Sequence, residues 1–352
     1  MRIVLDAMGS DKYPEPDVAG AVLAAREYGV EILLVGDEQV VRPALAAQAA
    51  GDLPITIVHA PDMLTMQDKG LALALKAKKK TARNSMAIGI DLVKSGEAQA
   101  FVTAGNTGAA AATAYFRLGT LPGVDRPALA PAFPTRTGTC VVLDIGANPD
   151  CKPENLLQFG IMGSLYAEHV RHVNRPRVGL LSNGEEAGKG NQLVRDTYPL
   201  LQASGLNFIG NVEGKELIGG EADVVVTDGF TGNVLLKSSE AVASLIIETI
   251  REKIMAGSPL VKLGGALVRP ALQSLRRLLD PSEEGAAPLL GIDGLVFIGH
   301  GRSDAFAIKN AVRLARNAVQ AGVLATIRED IALRVRSSAG PAGVPATTPI
   351  ST

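Results

Sequence analysis

The chain alternates short, continuous apolar runs with longer segments of helical periodicity, and this pattern restricts the fold more than any other feature. The apolar runs predict strands at Arg2–Asp6, Glu31–Gly36, Ile55–His59, Ala100–Thr103, Thr139–Ile145, Arg177–Ser182, Phe208–Glu213, Asp223–Thr227 and Leu295–Gly299. The segments between them predict helices at Pro16–Tyr28, Ser85–Lys94, Thr107–Leu118, Glu154–His172, Asn191–Ala203, Asn233–Ala256, Ala266–Leu279 and Ala305–Arg336. Apolar strands separated by helices are typical of a largely parallel sheet with helices on both faces.

The domain organisation follows from the same pattern, because no linker stands out before residue 336. We therefore expect one three-layer αβα domain over residues 1–336. A protruding helical hairpin over about residues 238–284, turning at Ser258-Pro259, interrupts this domain. Residues 337–352 consist mainly of Ala, Gly, Pro, Ser and Thr, a composition that predicts a disordered tail.

Composition excludes several classes of function. The 35 Lys and Arg residues nearly balance 36 Asp and Glu residues, which argues against nucleic-acid binding as the main task. Two cysteines are too few for a disulfide framework or a cysteine-based zinc site. The first residues do not resemble a signal peptide, and no apolar run reaches the roughly 18 residues of a membrane span. We therefore expect a cytoplasmic protein.

Polar, glycine-rich segments follow most of the predicted strands. These segments are Asp6–Asp11, Thr103–Gly108, Asp144–Asn148, Ser182–Asn191, Asp228–Asn233 and His300–Ser303. In a parallel sheet the strand ends share one edge, where glycines and helix N-termini favour anion binding. Glycine and asparagine are also ordinary turn residues, so one such loop would mean little, whereas six favour a phosphate-sized anionic ligand.

Standard nucleotide motifs are absent from these segments. The run Gly184–Gly190 lacks the spacing and the final hydroxyl of a P-loop, and no strand is followed by the glycine pattern of a dinucleotide site. Two covalent alternatives are weak. Ser303 follows a strand but lacks the second glycine of a nucleophile elbow and a later histidine. Cys151 follows the Asn148 turn and could carry an acyl group, but a plain loop cysteine is the simpler interpretation.

Taken in order, the motifs resemble the phosphate acyltransferase family of bacterial phospholipid synthesis. The matching runs are Asp6–Gly9, Ala104–Gly108, Leu143–Asn148, Gln158–Gly163, Gly188–Asn191, Gly210–Gly214, Asp228–Asn233 and Ala287–Gly291. Three positions depart from the family pattern: Ser10 replaces a second glycine, Ser182-Asn183-Gly184 replaces Asn-Ile-Gly, and Gly285-Ala286-Ala287 replaces Gly-Gly-Ala.

The resemblance implies a fold similar to isocitrate and isopropylmalate dehydrogenases and to phosphotransacetylase. It implies a homodimer that transfers a fatty acyl group from an acyl carrier protein thioester to inorganic phosphate, without a cofactor or metal. The acyl phosphate would pass to a membrane glycerol-3-phosphate acyltransferase. Three alternatives remain: use of coenzyme A thioesters, a metal- and nucleotide-dependent oxidoreductase on the same fold, and a non-catalytic anion-binding regulator.

Lys189 and Asn233 are the candidate catalytic residues. Lys189 lies between two glycines, where a long side chain suits contact with phosphate or with the developing oxyanion, although a solvated loop lysine is the simpler alternative. Asn233 opens a helix and would orient the acyl carbonyl or the phosphate. The expected substrate- and phosphate-binding residues are Asp6, Gly9, Gly105, Asn106, Thr107, Gly108, Asn148, Gly188, Gly190, Asn191, Asp228, Gly232 and His300.

Two surface segments suggest partners. The basic run Lys76–Lys80 would attract an acidic carrier protein, or it is simply a solvated helix face. The segment from Ala256 to Leu279 contains cations, no Asp or Glu, and an apolar helical face. This pattern is typical of a peripheral membrane element or of a dimer interface. The expected membrane residues are Leu260, Val261, Leu263 and Leu267, at the inner face of the cell membrane.

Overall fold

The computed structural model describes residues 1–338 apart from residues 69 and 80. Its described strands form two sheets. The first sheet has the spatial order β3 (Ile55–His59), β2 (Glu31–Gly36), β1 (Arg2–Asp6), β4 (Ala100–Thr103), β12 (Leu295–Gly299), β11 (Ala286–Leu290) and β5 (Ala128–Leu129). The second has the order β6 (Ala132–Thr135), β7 (Gly138–Leu143), β10 (Val224–Val226), β8 (Arg177–Leu181) and β9 (Asn207–Val212).

Helices connect and cover these strands. In chain order they are α1 (Glu15–Tyr28), α2 (Glu38–Ala47), α3 (Gly70–Lys78), α4 (Ser85–Lys94), α5 (Thr107–Leu118), α6 (Pro153–His169), α7 (Gln192–Ala203), α8 (Gly214–Gly219), α9 (Gly229–Ala256), α10 (Pro259–Leu278), α11 (Ala305–Gln320) and α12 (Val323–Ser338). A short 3-10 turn spans Pro281–Glu283. Apolar side chains of the strands and of the inward faces of these helices form the core.

The largely parallel α/β class predicted from the sequence is confirmed. In the first sheet β3, β2, β1, β4 and β12 run parallel, and in the second β7, β10, β8 and β9 do. The central strands β4 and β10 are buried along their whole length, which explains their unbroken apolar sequences.

The division into two sheets does not follow from the apolar runs, because β5, β6 and β11 escape the strand prediction. β6 and β11 each contain a proline, and β5 has two residues, so none shows a strand-like periodicity. All three pair antiparallel with a neighbour at the boundary between the sheets.

Two helix boundaries differ from those predicted from the sequence. α9 begins at Gly229 rather than Asn233, because Asp228 caps it and accepts a hydrogen bond from Thr231 N at 2.9 Å. The segment predicted as one helix from Ala305 is divided into α11 and α12. Gly322, with φ of 62°, ends the regular helical backbone there.

α9 and α10 form the helical hairpin expected near residues 238–284. The two helices approach closely where Gly265 faces Ile254, since a Cβ at Gly265 would overlap the Ile254 side chain. No helix of the described residues is long and apolar enough to cross a bilayer. α12 continues to Ser338, so residues 337 and 338 of the predicted tail are helical, and residues 339–352 lie outside the described residues.

Candidate active site

The polar loops singled out in the sequence lie at the carboxyl ends of parallel strands in both sheets. α9 connects the two edges, because it begins after β10 of the second sheet and reaches the β12 loop of the first. There Glu240 forms an ion pair with Arg302 at 3.6 Å. Leu129 N of the first sheet also donates to Asp144 Oδ1 of the second sheet at 2.9 Å. These two contacts join the β12 loop of the first sheet to α9 and join β5 of the first sheet to the β7 loop of the second.

Asp6 supports the loops of the first sheet from beneath. It is fully buried, and it accepts hydrogen bonds from Thr103 Oγ1 at 2.7 Å and from Met8 N at 3.0 Å. Burial raises its pKa, while these hydrogen bonds act in the opposite direction. Asp6, predicted as a phosphate ligand, therefore lies at a position that fixes the β1 and β4 loops against one another.

The β1 and β4 loops touch through their backbones. A Cβ at Gly9 would lie 2.8 Å from Gly105 N and 2.8 Å from Thr103 Oγ1. Both glycines are buried. A side chain at Gly9 would prevent the close packing of the β1 loop on the β4 loop.

The N-terminus of α5 presents exposed groups to the site. Asn106 caps this helix, accepting from Ala109 N at 3.0 Å, and its amide nitrogen donates to Thr65 O and Asp68 O, each at 3.1 Å. Thr107 and Gly108 follow and are exposed. The amide of Asn106 thus orders the loop, while the first turn of the helix remains accessible to an anion.

The β7 loop of the second sheet is built around another buried carboxylate. Asp144 accepts hydrogen bonds from Asn148 N at 2.6 Å and from Asn148 Nδ2 at 3.1 Å, and burial raises its pKa. The same Asn148 amide donates to Pro127 O at 2.6 Å. Asn148, expected to bind phosphate, is therefore buried and engaged with protein groups.

The N-terminus of α9 packs directly on this loop. Gly232 is so close to Asp144 O that a Cβ would overlap the carbonyl, and a Cβ at Gly229 would lie 2.7 Å from Asn148 O. Asn233 lies one residue further on, partly exposed, with Nδ2 3.7 Å from a Cβ placed at Gly146. This position places the Asn233 amide beside the β7 loop.

Lys189 lies in the loop between β8 and α7, next in the sheet to the β10 loop that carries Asp228 and Asn233. Its stem covers Gly184, where a Cβ would be 2.8 Å from Lys189 Cγ. Its side chain is exposed, and no group in the described part of the chain pairs with its ammonium. Gly188 beside it is exposed, with open space where a Cβ would stand.

The loop's C-terminal end is fixed by its turn and cap. Gly190 has a φ of 94°, and its N–H donates to Asn183 Oδ1 at 3.0 Å. Asn191 caps α7 by accepting from Val194 N at 3.0 Å. Lys189 is therefore an exposed cation on a loop that is closed by the hydrogen bond between Gly190 and Asn183 and is followed by the Asn191 cap of α7.

His300 completes the first-sheet side of the site. Its exposed imidazole follows β12, and burial of part of the ring together with the charge of Arg302 lowers its pKa. The neutral form, which donates or accepts hydrogen bonds, is therefore favoured at neutral pH.

Neither covalent alternative gains support. Burial raises the pKa of Cys151 to about 11, so this side chain is a thiol at neutral pH, and Sγ contacts Asn148 O at 3.5 Å. Ser303 is buried, with its N–H bonded to His300 O at 2.9 Å. The loops instead offer an exposed lysine and the N-termini of α5, α7 and α9, and each of these features suits binding of an anion.

An acidic cluster near the Lys189 loop escaped the sequence analysis, since Glu185 lies on the β8 loop whereas Glu213 and Glu216 lie at the start of α8. The carboxylates of Glu185, Glu213 and Glu216 have oxygen atoms within 4.8 Å of one another, a spacing compatible with a metal ion. However, Lys215 Nζ lies within 3.2 Å of all three carboxylates. This ammonium neutralises the cluster, which therefore resembles a structural ion-pair network.

Comparison with known protein families agrees with the motifs. A family model described as "Fatty acid synthesis protein" matches residues 1–326. The phosphate acyltransferase of Acidobacterium capsulatum is 49% identical, covering 96% of this chain and 99% of its own length. That of Pelotomaculum thermopropionicum is 47% identical, covering 97% of this chain and 98% of its own length. That of Thermus thermophilus is 49% identical, covering 94% of this chain and 98% of its own length.

Solved structures share the fold at much lower identity. A phosphotransacetylase from Streptococcus pyogenes aligns with a TM-score of 0.60 and 17% identity, over 91% of this chain and 94% of that one. A 4-hydroxythreonine-4-phosphate dehydrogenase from Klebsiella pneumoniae aligns with a TM-score of 0.51 and 14% identity, over 90% of this chain and 98% of that one. This fold therefore occurs in both transferases and dehydrogenases, and the fold alone does not choose between them.

Proposed function

The chain belongs to the phosphate acyltransferase family, and we propose that the acyl group it transfers to inorganic phosphate is a fatty acyl group carried as a thioester by acyl carrier protein. Phosphate oxygen attacks the thioester carbonyl, the carbon–sulfur bond breaks, and the products are an acyl phosphate and the free carrier thiol. The reaction consumes no electrons and requires no cofactor.

The observation that carries this proposal is the ammonium of Lys189, which has no partner among the described residues and lies on a loop next to the β10 loop from which α9 begins. Phosphate is already an anion near neutral pH and needs little activation as a nucleophile. The site must hold it in line with the carbonyl and stabilise the oxyanion that forms, for which preorganised donors suffice. Lys189 supplies a positive charge, and Asn233 supplies a neutral donor on the neighbouring loop.

Coenzyme A thioesters are the competing donor. We propose to measure phosphate-dependent thiol release with the same acyl group carried either by acyl carrier protein or by coenzyme A. A higher kcat/KM with the carrier protein is expected. A higher kcat/KM with coenzyme A would overturn the donor assignment and leave acyl transfer to phosphate intact.

The basic run on α3 is the proposed docking surface for carrier protein. α3 lies along α5, with Leu73 Cδ2 3.6 Å from a Cβ placed at Gly108 and Lys79 O accepting from Arg117 Nη2 at 3.1 Å. Lys78 and Lys79 are exposed, whereas Lys76 pairs with Asp68 at 2.5 Å and Lys80 lies outside the described residues. Leu73 of α3 therefore lies at the exposed first turn of α5, whereas the basic run lies beside Arg117 in the last turn of α5.

Reversing charge at Lys78 and Lys79 to glutamate should raise the apparent KM for acyl carrier protein and leave the KM for phosphate unchanged. Complementary charge accelerates encounter with an acidic partner, and salt screens it. Steady-state kinetics at low and high salt provide the measurement. A Lys253→Glu variant, which alters an exposed lysine on α9, is the matched control. An unchanged carrier-protein KM at low salt would remove this surface from the proposal.

We also propose that the α9–α10 hairpin binds membranes peripherally. Leu260 and Leu267 of α10 are 78% and 75% exposed, and Val261 and Leu263 are exposed beside them. Exposed cations Lys262, Arg269 and Arg277 accompany this apolar surface. An apolar tip that carries Lys262, with Arg269 and Arg277 further along α10, fits the surface of an anionic membrane, where an acyl phosphate would meet a glycerol-3-phosphate acyltransferase.

Changing Leu260, Val261 and Leu263 together to aspartate should abolish co-sedimentation with anionic liposomes. Wild-type binding should weaken with salt, since each cation near such a surface contributes about 1 kcal/mol. Leu75→Asp, which alters an exposed leucine on α3, is the control. Equal liposome binding by the tip variant and the wild type would contradict the proposal.

The same hairpin is our proposed site of homodimer formation. α9 exposes Val242, Leu245 and Ile246, an apolar surface that a second copy of the chain would cover. Sedimentation analysis of the triple variant at Leu260, Val261 and Leu263 is therefore a further control. This variant should remain dimeric if membrane binding and dimer formation use different parts of the hairpin.

A further inference from the structure

A buried asparagine lies beneath the loop that carries Lys189. Asn211, near the end of β9, is 5% exposed, and its Nδ2 atom donates to Glu186 O at 2.8 Å. The same carbonyl oxygen accepts a hydrogen bond from Lys189 N at 2.9 Å. A carbonyl oxygen can accept two hydrogen bonds, so the Asn211 amide and the Lys189 backbone share this acceptor. The Asn211 side chain is therefore linked to the Lys189 backbone through one carbonyl group.

A β-bulge determines which face of the sheet Asn211 occupies. Phe208 and Gly210 lie opposite consecutive residues of β8, so Ile209 is the extra residue of the bulge. As a result, Phe208 and Val212 pack in core clusters on opposite faces of the sheet, whereas residues four apart in an unbroken strand share a face. Gly210 has a φ of 97°, a conformation that favours glycine. The bulge therefore turns Asn211 away from the face on which Val212 lies.

The other contacts of the loop act on different parts of it. The C-terminal end is fixed by the contacts of Gly190 described above. Glu185 forms an ion pair with Lys215 at 2.9 Å, but both side chains are exposed, and an exposed ion pair contributes little. The hydrogen bond to Glu186 O comes instead from a buried side chain, which the surrounding core holds in place. Asn211 is therefore a rigid support for the turn that precedes Lys189.

We propose that Asn211 is a positioning residue, which holds the turn between Glu186 and Lys189 so that the Lys189 ammonium meets the reacting phosphate. The inference rests on the proposed function, because it takes Lys189 as the group that contacts phosphate or the oxyanion. The Lys189 side chain is long and exposed, so its direction depends on the backbone from which it extends. A displacement of about 1 Å at a catalytic group can lower the rate about 100-fold.

Asn211→Leu should lower kcat/KM for phosphate-dependent thiol release about 10- to 100-fold, with little change in melting temperature. Glu186 O keeps its hydrogen bond from Lys189 N, so the substitution leaves this carbonyl paired. It also removes the buried Asn211 Oδ1, which has no partner among the described residues. Steady-state kinetics and thermal unfolding provide the measurement. Asn207→Leu is the matched control, because its amide donates to Arg175 O at 3.0 Å at the other end of β9.

The same substitution in a Lys189→Ala background separates positioning from a general structural role. If Asn211 acts through Lys189, Asn211→Leu should cause no further loss of kcat/KM once the ammonium is absent. A general weakening of the fold would lower kcat/KM in both backgrounds. An equal fold-loss in the two backgrounds, or an unchanged kcat/KM in Asn211→Leu alone, would overturn the positioning role.

A second variant covers the case in which Asn211→Leu does not fold. Asn211→Asp keeps the size of the side chain and replaces the donor with a carboxylate oxygen, so the same dependence on Lys189 is expected. Undiminished turnover in Lys189→Ala itself would reject the role of Lys189 and this inference with it. Absence of phosphate-dependent turnover in the wild type would instead reject the proposed function.

Discussion

Replacing Lys189 by alanine should lower kcat/KM about 100- to 1000-fold, the effect of removing one preorganised donor from a developing oxyanion. Its ammonium has no partner in the described part of the chain, so the change leaves no buried group unpaired and should preserve the melting temperature. Thiol release from acyl carrier protein thioester, measured at several phosphate concentrations, separates loss of phosphate binding from loss of turnover. Lys253→Ala, at an exposed site on α9, is the control.

Asn233→Ala should produce a loss of the same order, because its amide is partly exposed next to the β7 loop. The two substitutions together should cost less than the product of the single effects if both groups act on the same transition state. Near-normal rates in both single variants, with folding intact, would contradict the assignment of Lys189 and Asn233.

Replacing Gly232 by alanine should have the second large effect, on folding and activity together. The added Cβ would overlap Asp144 O, and a backbone atom has less freedom to move than the end of a side chain. We expect α9 to shift at its N-terminus and the free energy of unfolding to fall by about 1–3 kcal/mol. Because Asn233 is the next residue, kcat should fall as well.

Gly264→Ala is the matched control for Gly232→Ala. Gly264 lies on an exposed part of α10, and no atom lies within 4 Å of a Cβ placed there. The substitution should be neutral or stabilise the helix by up to about 1 kcal/mol. Denaturant unfolding and steady-state kinetics of both variants provide the comparison. Equal stability of the two variants would show that the α9 N-terminus does not require close backbone approach.

The sequence predicted the central strands and the polar loops that follow them, because continuous apolar strands and glycine-rich turns have strong local patterns. It did not predict the boundary between the sheets, since β5 and β11 are defined by their pairing with one another rather than by their own periodicity. Their role depends on contacts between residues distant in the chain, which local composition does not encode.

Local sequence patterns also did not predict which residues of the candidate site are exposed. Asn148 and Asn233 look alike in sequence, as asparagines in turns after strands, yet Asn148 is buried on Asp144 and Pro127 whereas Asn233 is partly exposed. The burial of Asp17, in the first turn of α1, was not visible either, because an aspartate in the first turn of a helix usually faces solvent. In the structure the Ser10 hydroxyl lies 2.6 Å from its Oδ2 atom.

The most direct test of acyl transfer to phosphate follows the phosphorus atom. Wild-type protein is incubated with acyl carrier protein thioester and isotopically labelled inorganic phosphate, and both the free thiol and the label in solvent-extractable acyl phosphate are quantified. We predict one labelled acyl phosphate for each thiol released, with neither product formed when either substrate is omitted. Thiol release at the same rate without phosphate, or release without label in an acyl phosphate, would contradict the proposed reaction.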